Sequence, residues 1–539
     1  MKIKGRLVDI HNRNIFPAEI TVEGERILNI ERCENVSEQF IIPGFVDSHV
    51  HIESSMVIPA SFAEMAVRHG TIGVVSDPHE IANVLGIKGV DYMIENAEKC
   101  PVYFWFGAPS CVPATDYETS GGRINYEGVK KLLERKNINF LSEMMNFPGV
   151  IHNDREIMEK ISAAKELKKP VDGHAPGLSG EDLVKYVNAG ITTDHECSSL
   201  EEAREKIALG MKILIREGSA ARNLKALKEL FKSDPEKLML CSDDIHPEML
   251  EKRHMNFLVA LLIREGYDLF DVLRSCTVNP VIHYGLEAGL LRRGDNADFI
   301  VVKDLQNIEI SETWIKGVKV YGNDIVNFIP VRGENINNFN AGIINEDQIR
   351  IKRLGSRIRV IVASDGELLT TSMDAEIPDT EYVVQDVERD ILKIVVKDRY
   401  NDAPPAVAFI SGFGLKNGAF ASSVAHDSHN IICVGADDIS ICKCVNEVIR
   451  LKGGLAVSAS GRIDSLPLPV AGIMSDDSVM NVARGYEKLS GKVKTLGCSL
   501  AAPFMTLSFM ALLVIPELKI SDRGLFDGRS FSLTNLFAD

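Results

Sequence analysis

Along residues 1–42 hydrophobic and polar positions alternate singly, as in "KGRLVDI" and "AEITVEGERILNI", with Gly5 and Gly24 at the breaks. That period of two marks strands with one buried face. From Pro43 to Gly285 the texture changes. Short, nearly unbroken apolar runs are followed by amphipathic stretches of helical spacing, such as "PASFAEMAVRHG" and "NDREIMEKISAAKELK". The alternation of such runs with helices suits β/α units around a parallel sheet. Eight runs qualify: "GFVDSHV", "TIGVVSD", "VYFWFGA", "INFLSEM", "PVDGHA", "ITTDHE", "KILIREG" and "LMLCSDD". Eight units over roughly 240 residues is the size of a (β/α)8 barrel. Strand texture returns in "GDNADFIVVKDLQNIEISETWIKGVKVYGN", which can complete the small β domain begun at the N-terminus. Strands "RIRVIVAS" and "ILKIVVKD", with a helix near "DISICKCVNEVIRLKGG", define a third region. The predicted fold is α/β: a TIM-like (β/α)8 barrel over 43–285, a small flanking β-sandwich from 1–42 plus 286–334, and an α+β C-terminal domain over 335–539. A chain of 539 residues exceeds what one hydrophobic core supports, which agrees with such a division.

Chemistry in this fold collects at the C-terminal ends of the strands. Those ends carry His49 and His51, then Asp77 with His79 and Glu80, Glu143 on the fourth run, His174 on the fifth and His195 on the sixth. Arg216 follows on the seventh, and Asp243 with Asp244 on the eighth. Charged groups are seldom buried unless paired or metal-bound, so their recurrence at one end of consecutive strands points to a site. His49 and His51, two residues apart, share a strand face and form half of a metal site. Together, His49, His51, His174, His195, Glu143 and Asp243 suffice for two cations if one carboxylate bridges. Two such ions would bind a shared water and lower its pKa. Imidazole and carboxylate ligation without thiolate suits Zn²⁺, Mn²⁺ or Fe²⁺. Two superficial motifs are excluded. "HIE" lacks the P-C-x-x-C half of a cytidine-type deaminase, and "HEIAN" has Asn83 where a zincin helix needs its second histidine.

Composition narrows the partners. With 60 basic against 76 acidic residues the formal charge is −16, and no Lys/Arg-rich run interrupts it, which excludes an ordinary nucleic-acid binder. "PFMTLSFMALLVIP" is the most membrane-like stretch, but Pro503 and Pro516 bracket too few residues to span, so it is expected in the core. The N-terminus "MKIKGRLVDIHNRN" has no apolar signal core, and the ten cysteines are scattered without C-x-x-C. Both features lead to the expectation of a cytoplasmic protein with reduced thiols.

"PGFVDSHVH", followed by single strand-end histidines and an aspartate on strand eight, resembles the amidohydrolase superfamily. "IESSM", "SDPHEIANV", "SEMMNFPGV", "DGHAPGLSG", "TDHEC", "IREGSAARNL" and "CSDDIHP" resemble its adenine deaminase branch, as do "SSVAHDSHNIICVG", "LPLPVAGIMSD" and "PFMTLSFMALLVIPELK" toward the C-terminus. The resemblance covers nearly the whole chain. It implies hydrolysis of adenine to hypoxanthine and ammonia in purine salvage, with Mn²⁺ or Fe²⁺ as the usual metals. It also implies that His49, His51, His174, His195 and Asp243 are metal ligands. Glu143 stands where many relatives carry a carboxylated lysine or another bridging carboxylate. The absence of lysine there counts against dihydroorotase-like and hydantoinase-like readings.

In the implied reaction an activated water attacks C6 while a carboxylate takes its proton and delivers protons to N1 or the leaving amine. Asp243 is the first choice for that shuttle, with Glu143 and His195 as alternatives. Asp244 is either a functional group or a cap for the next helix. Glu53, His79 and Glu80 are read as supporting or base-reading groups, or as parts of a salt-bridged loop. Arg216 either holds purine N3 or N7 or pairs with Glu80 or Glu53. His426 and His429, three apart in "HDSHN", could share a helix face. They are assigned to a domain contact or substrate lid rather than a separate metal site. The expected assembly is a homo-oligomer, a dimer foremost. Two other readings stay open: an amidohydrolase that opens a cyclic amide or deacetylates a sugar, and a non-catalytic barrel used for binding.

Overall fold

The computed structural model describes residues 1–34, 36–219 and 222–539. Eight parallel strands form the barrel, one in each run picked out by the hydrophobic pattern. Strands one to five are Phe45–Val50, Thr71–Ser76, Tyr103–Ala108, Ile138–Met144 and Val171–Gly173, hydrogen-bonded in that order. Strands six to eight are Thr193–Asp194, Lys212–Arg216 and Leu238–Cys241. The cylinder closes at two seams. Between strands five and six, the Thr192 amide donates to Val171 O at 2.9 Å. Between eight and one, the Asp243 amide donates to His49 O at 2.9 Å, and the His51 amide donates to Asp243 O at 3.3 Å.

Strands one and two are buried at every position, as their continuous apolar character requires. Strands five and six are shorter than their runs, because polar side chains take over ladder bonds there. Asp194 Oδ1 accepts from the Ala175 amide at 2.9 Å, and Asp172 Oδ1 accepts from Thr193 Oγ1 at 2.8 Å. Only glycine fits at 173, since a Cβ there would meet Thr193 O at 2.3 Å.

The N-terminal strands and those at Phe299–Val302, Ile310–Ile315, Val318–Gly322 and Ile325–Val326 join in one eight-stranded sheet. Its edge at Ile27 returns to Asp295 through a backbone bond of 3.0 Å. The curled sheet encloses a core of its own, including Leu7, Ile20, Phe299 and Trp314.

A second eight-stranded sheet lies beyond the barrel, centred on Ala406–Ser411, Leu392–Lys397, Ile431–Gly435 and Ala419–Ser422. Alternate residues serve different cores. Val395, Ala421 and Cys433 pack against Ile441 and Val445 of the helix Asp438–Leu451. Their neighbours Ile394, Phe420 and Ile432 join the core that also holds Val50, Ile52 and Phe106 of the barrel. Period-two patterning therefore welds this sheet onto the barrel. The membrane-like run lies inside that shared core. Its helix, Pro503–Phe509, is buried throughout, and among the described residues no helix is long and apolar enough to cross a membrane.

Candidate active site

The strand-end residues converge on one buried cluster. Glu143, at the end of strand four, stands at its centre with its two oxygens facing different histidines. Oε1 lies 3.2 Å from His51 Nε2 and 4.0 Å from His49 Nε2. Oε2 lies 2.7 Å from His174 Nδ1 and 3.1 Å from His195 Nε2. Asp243 Oδ1 closes the first set, 3.4 Å from His49 Nε2 and 3.3 Å from His51 Nε2. The His49 ring stacks on that of His195 with centroids 4.4 Å apart. Burial alone would push the Glu143 carboxyl up, but His195 and His174 outweigh it and hold it well below the usual carboxylate range.

The surroundings aim these groups. His51 Nδ1 is 3.1 Å from Asp77 O, which turns Nε2 toward the carboxylates. Asp47, in the same strand as His49, works from beneath. Its Oδ1 accepts from the Ser242 amide at 3.0 Å, and its Oδ2 lies 2.9 Å from His254 Nε2. That grip fixes the chain one residue before Asp243, which adopts a left-handed backbone (φ 55°) just past strand eight.

The donor set fits a divalent metal. His49, His195 and Asp243 bring one ligand atom each within 4.8 Å of one another, as do Glu143, His174 and His195. Neither ring nitrogen of buried His49 makes a hydrogen bond among the described residues, and the same holds for His174 Nε2. An orphaned buried imidazole nitrogen beside carboxylates, as His49 Nε2 is, is what a ligand shell contains.

Several residues occupy places that the sequence pattern did not indicate. Arg216 meets neither Glu80 nor Glu53 in an ion pair. Its Nη1 donates to Asp243 Oδ2 at 2.7 Å, and its two terminal nitrogens reach Glu196 at 2.5 and 2.9 Å. Against the cost of burial, Arg216 holds the Asp243 carboxyl well below its usual range. Spacing does not indicate Glu196, because strict alternation would point it away from His195. Strand six ends at Asp194, so both residues sit on a loop and turn the same way.

Glu53 is set back from the cavity. Its Oε1 accepts from the Ile81 amide at 3.1 Å, and burial pushes its carboxyl up to about 7. Asp244 faces the cavity and accepts from Ser54 rather than capping the helix Pro247–Lys252. His79 lies closer to the centre than a supporting role requires. Its Nδ1 is 3.0 Å from Asp77 Oδ2 and 3.6 Å from Glu143 Oε1. His426 opens a turn and His429 follows it, with no helix there; His426 meets one oxygen of Glu80 and His429 the other, from the C-terminal sheet. They make a contact between that sheet and the barrel.

Residues 40–320 match the family model described as "Amidohydrolase family", which places the barrel in a class of hydrolases that work at a strand-end site. Residues 367–532 match the "Adenine deaminase C-terminal domain". The chain is 51% identical to a protein named adenine deaminase from Salinibacter ruber, over 100% of this chain and 99% of that one. A protein of the same name from Parabacteroides distasonis is 49% identical over 99% and 98% of the two chains. One from Methanosarcina mazei is 49% identical over 100% of both. The chain belongs to the adenine deaminase family of amidohydrolases.

Proposed function

We propose that the protein is a hydrolase of adenine, releasing hypoxanthine and ammonia as a step of purine salvage. The observation that carries this reading furthest is Glu143, whose two oxygens face two separate sets of histidines. That arrangement suits two divalent ions, Mn²⁺ or Fe²⁺ foremost and Zn²⁺ as the alternative. His49, His51 and Asp243 would hold one, His174 and His195 the other, and Glu143 both. Bound there, the cations would supply Lewis acidity that makes a water nucleophilic near neutral pH.

The chain's own side chains do the rest. Oδ1 of Asp243, the oxygen turned away from Arg216, takes the proton as the water oxygen bonds to C6. It returns the proton to N1 or to the departing amine as the C6–N bond breaks. Glu143 and His195 are the alternative carriers. The barrel of 43–285 thus provides the chemistry, flanked by a β domain of 1–42 with 286–334 and by the region 335–539. In this reading the protein acts on a free base in the cytoplasm as a homo-oligomer, most simply a dimer.

A substrate panel tests the reading. Metal-loaded protein is expected to release ammonia from adenine at least ~10²-fold faster, by kcat/KM, than from adenosine, guanine or cytosine, the discrimination a polar pocket supplies. Equal turnover of adenosine, or faster hydrolysis of hydantoin or N-acetyl sugars, would move the protein to another reaction in the same superfamily.

A further inference from the structure

The cavity has two unlike walls. Its barrel side is lined by imidazoles, carboxylates and the Arg216 guanidinium, with Met145 as an apolar contribution. Its opposite side is built by residues beyond 367: Leu368, His426, Asp427, Phe509 and Leu512. This second wall is braced by contacts of its own. One fully buried amine, Lys519 Nζ, donates to Leu368 O at 2.7 Å and to Phe509 O at 3.0 Å. The Phe509 ring stacks on His426, with centroids 4.8 Å apart and planes inclined by 16°. His426 is held in turn through Nδ1 by Glu80. A rigid aromatic and aliphatic face loses little entropy when a flat ring packs on it.

Asp427 lies in the same turn as His426 and is 3% exposed. Its Oδ1 is 3.8 Å from His79 Nε2, while His79 Nδ1 is 3.6 Å from Glu143 Oε1. A single imidazole therefore spans the gap between Asp427 and the central carboxylate. The other oxygen, Oδ2, is buried and has no hydrogen-bond partner among the described residues. A buried carboxylate oxygen left so is an acceptor prepared for a donor.

We propose that the C-terminal region supplies the base-recognition half of the site: Leu368, Phe509 and Leu512 pack the faces of the heterocycle, and Asp427 Oδ2 accepts its imidazole-ring N–H. This deepens the adenine reading and rests on it. A purine lying beside His79 would present C6 toward Glu143 and its five-membered ring toward Asp427. The free base carries an N–H at that end, and a nucleoside carries a glycosidic carbon instead. Asp427 thereby selects free bases, because a nucleoside would leave a buried acceptor unmet as well as crowding it.

The test compares the metal-loaded wild type with Asp427→Ala and Asp427→Asn, using adenine as substrate and hypoxanthine and 9-methylhypoxanthine as competitive inhibitors. Asp427→Ala is expected to raise KM for adenine at least ~10-fold, and to narrow the preference for hypoxanthine over its 9-methyl derivative by a similar factor, at unchanged metal content. Should the alanine variant not fold, Asp427→Asn decides, with a narrowing of at least ~3-fold expected from its weaker acceptor. A preference that stays at the wild-type value in a folded variant still active on adenine overturns the proposal alone. A wild type that releases no ammonia from adenine overturns the adenine reading, and this proposal with it.

Discussion

Asp243→Asn is expected to lower kcat on adenine by about 10²–10⁴-fold, the range assigned to a positioned acid–base group, while most of the bound metal stays in place. The substitution isolates the chemistry because the backbone can accept it. Asp243 has φ 55°, and asparagine tolerates the left-handed region as readily as aspartate. The amide keeps the size and an oxygen donor but is a very poor base. Metal content, measured on purified protein, should therefore fall much less than in His49→Ala or His51→Ala, which remove an imidazole outright. Asp244→Asn is the matched control. It accepts from Ser54 at the cavity edge and should change KM or stability more than kcat. A reversed pattern would assign the proton to Asp244. If neither change slows the chemical step, Glu143 or His195 carries it.

The second large effect concerns stability. Arg216→Met is expected to destabilise the metal-free protein by about 3–5 kcal/mol, the usual consequence of removing one partner from a buried ion pair. Arg216 is 5% exposed and serves two carboxylates, Glu196 and Asp243. Methionine fills much of the same space but leaves both carboxylates buried without that cation. Loading with Mn²⁺ should recover part of the loss, since divalent charge replaces the missing guanidinium. Urea unfolding of the metal-free and loaded variants measures both quantities. An unchanged midpoint combined with a raised KM would instead make Arg216 a purine contact.

Much of the fold was legible in sequence because barrel strands are buried on both faces, so their runs are apolar and their ends stand out. The recurrence of ionisable residues at the ends of consecutive strands made His49, His51, Glu143, His174, His195 and Asp243 stand out as candidates. Legibility failed where neither strand spacing nor local sequence points to a residue's partners. Glu196 is one such case, because the period of two no longer applies past Asp194. Arg216 is another, since its long side chain reaches sideways to partners just past the ends of strands six and eight that no local spacing reveals. The role of "HDSHN" was hidden for a different reason. Its partner Glu80 lies 346 positions earlier in the chain, and only the packing of the C-terminal sheet onto the barrel brings them together. Phe509 lies in a run expected in the core, because an apolar wall facing a cavity has the same composition as one facing a neighbouring strand.

The measurement that bears most directly on the two-ion reading of the site is a metal titration of the metal-free enzyme, following ammonia release from adenine as Mn²⁺ is added. The expected curve rises to a plateau at about two ions per chain, with hypoxanthine formed in step with ammonia. Full activity at one ion, or no ammonia from adenine at any loading, would contradict it.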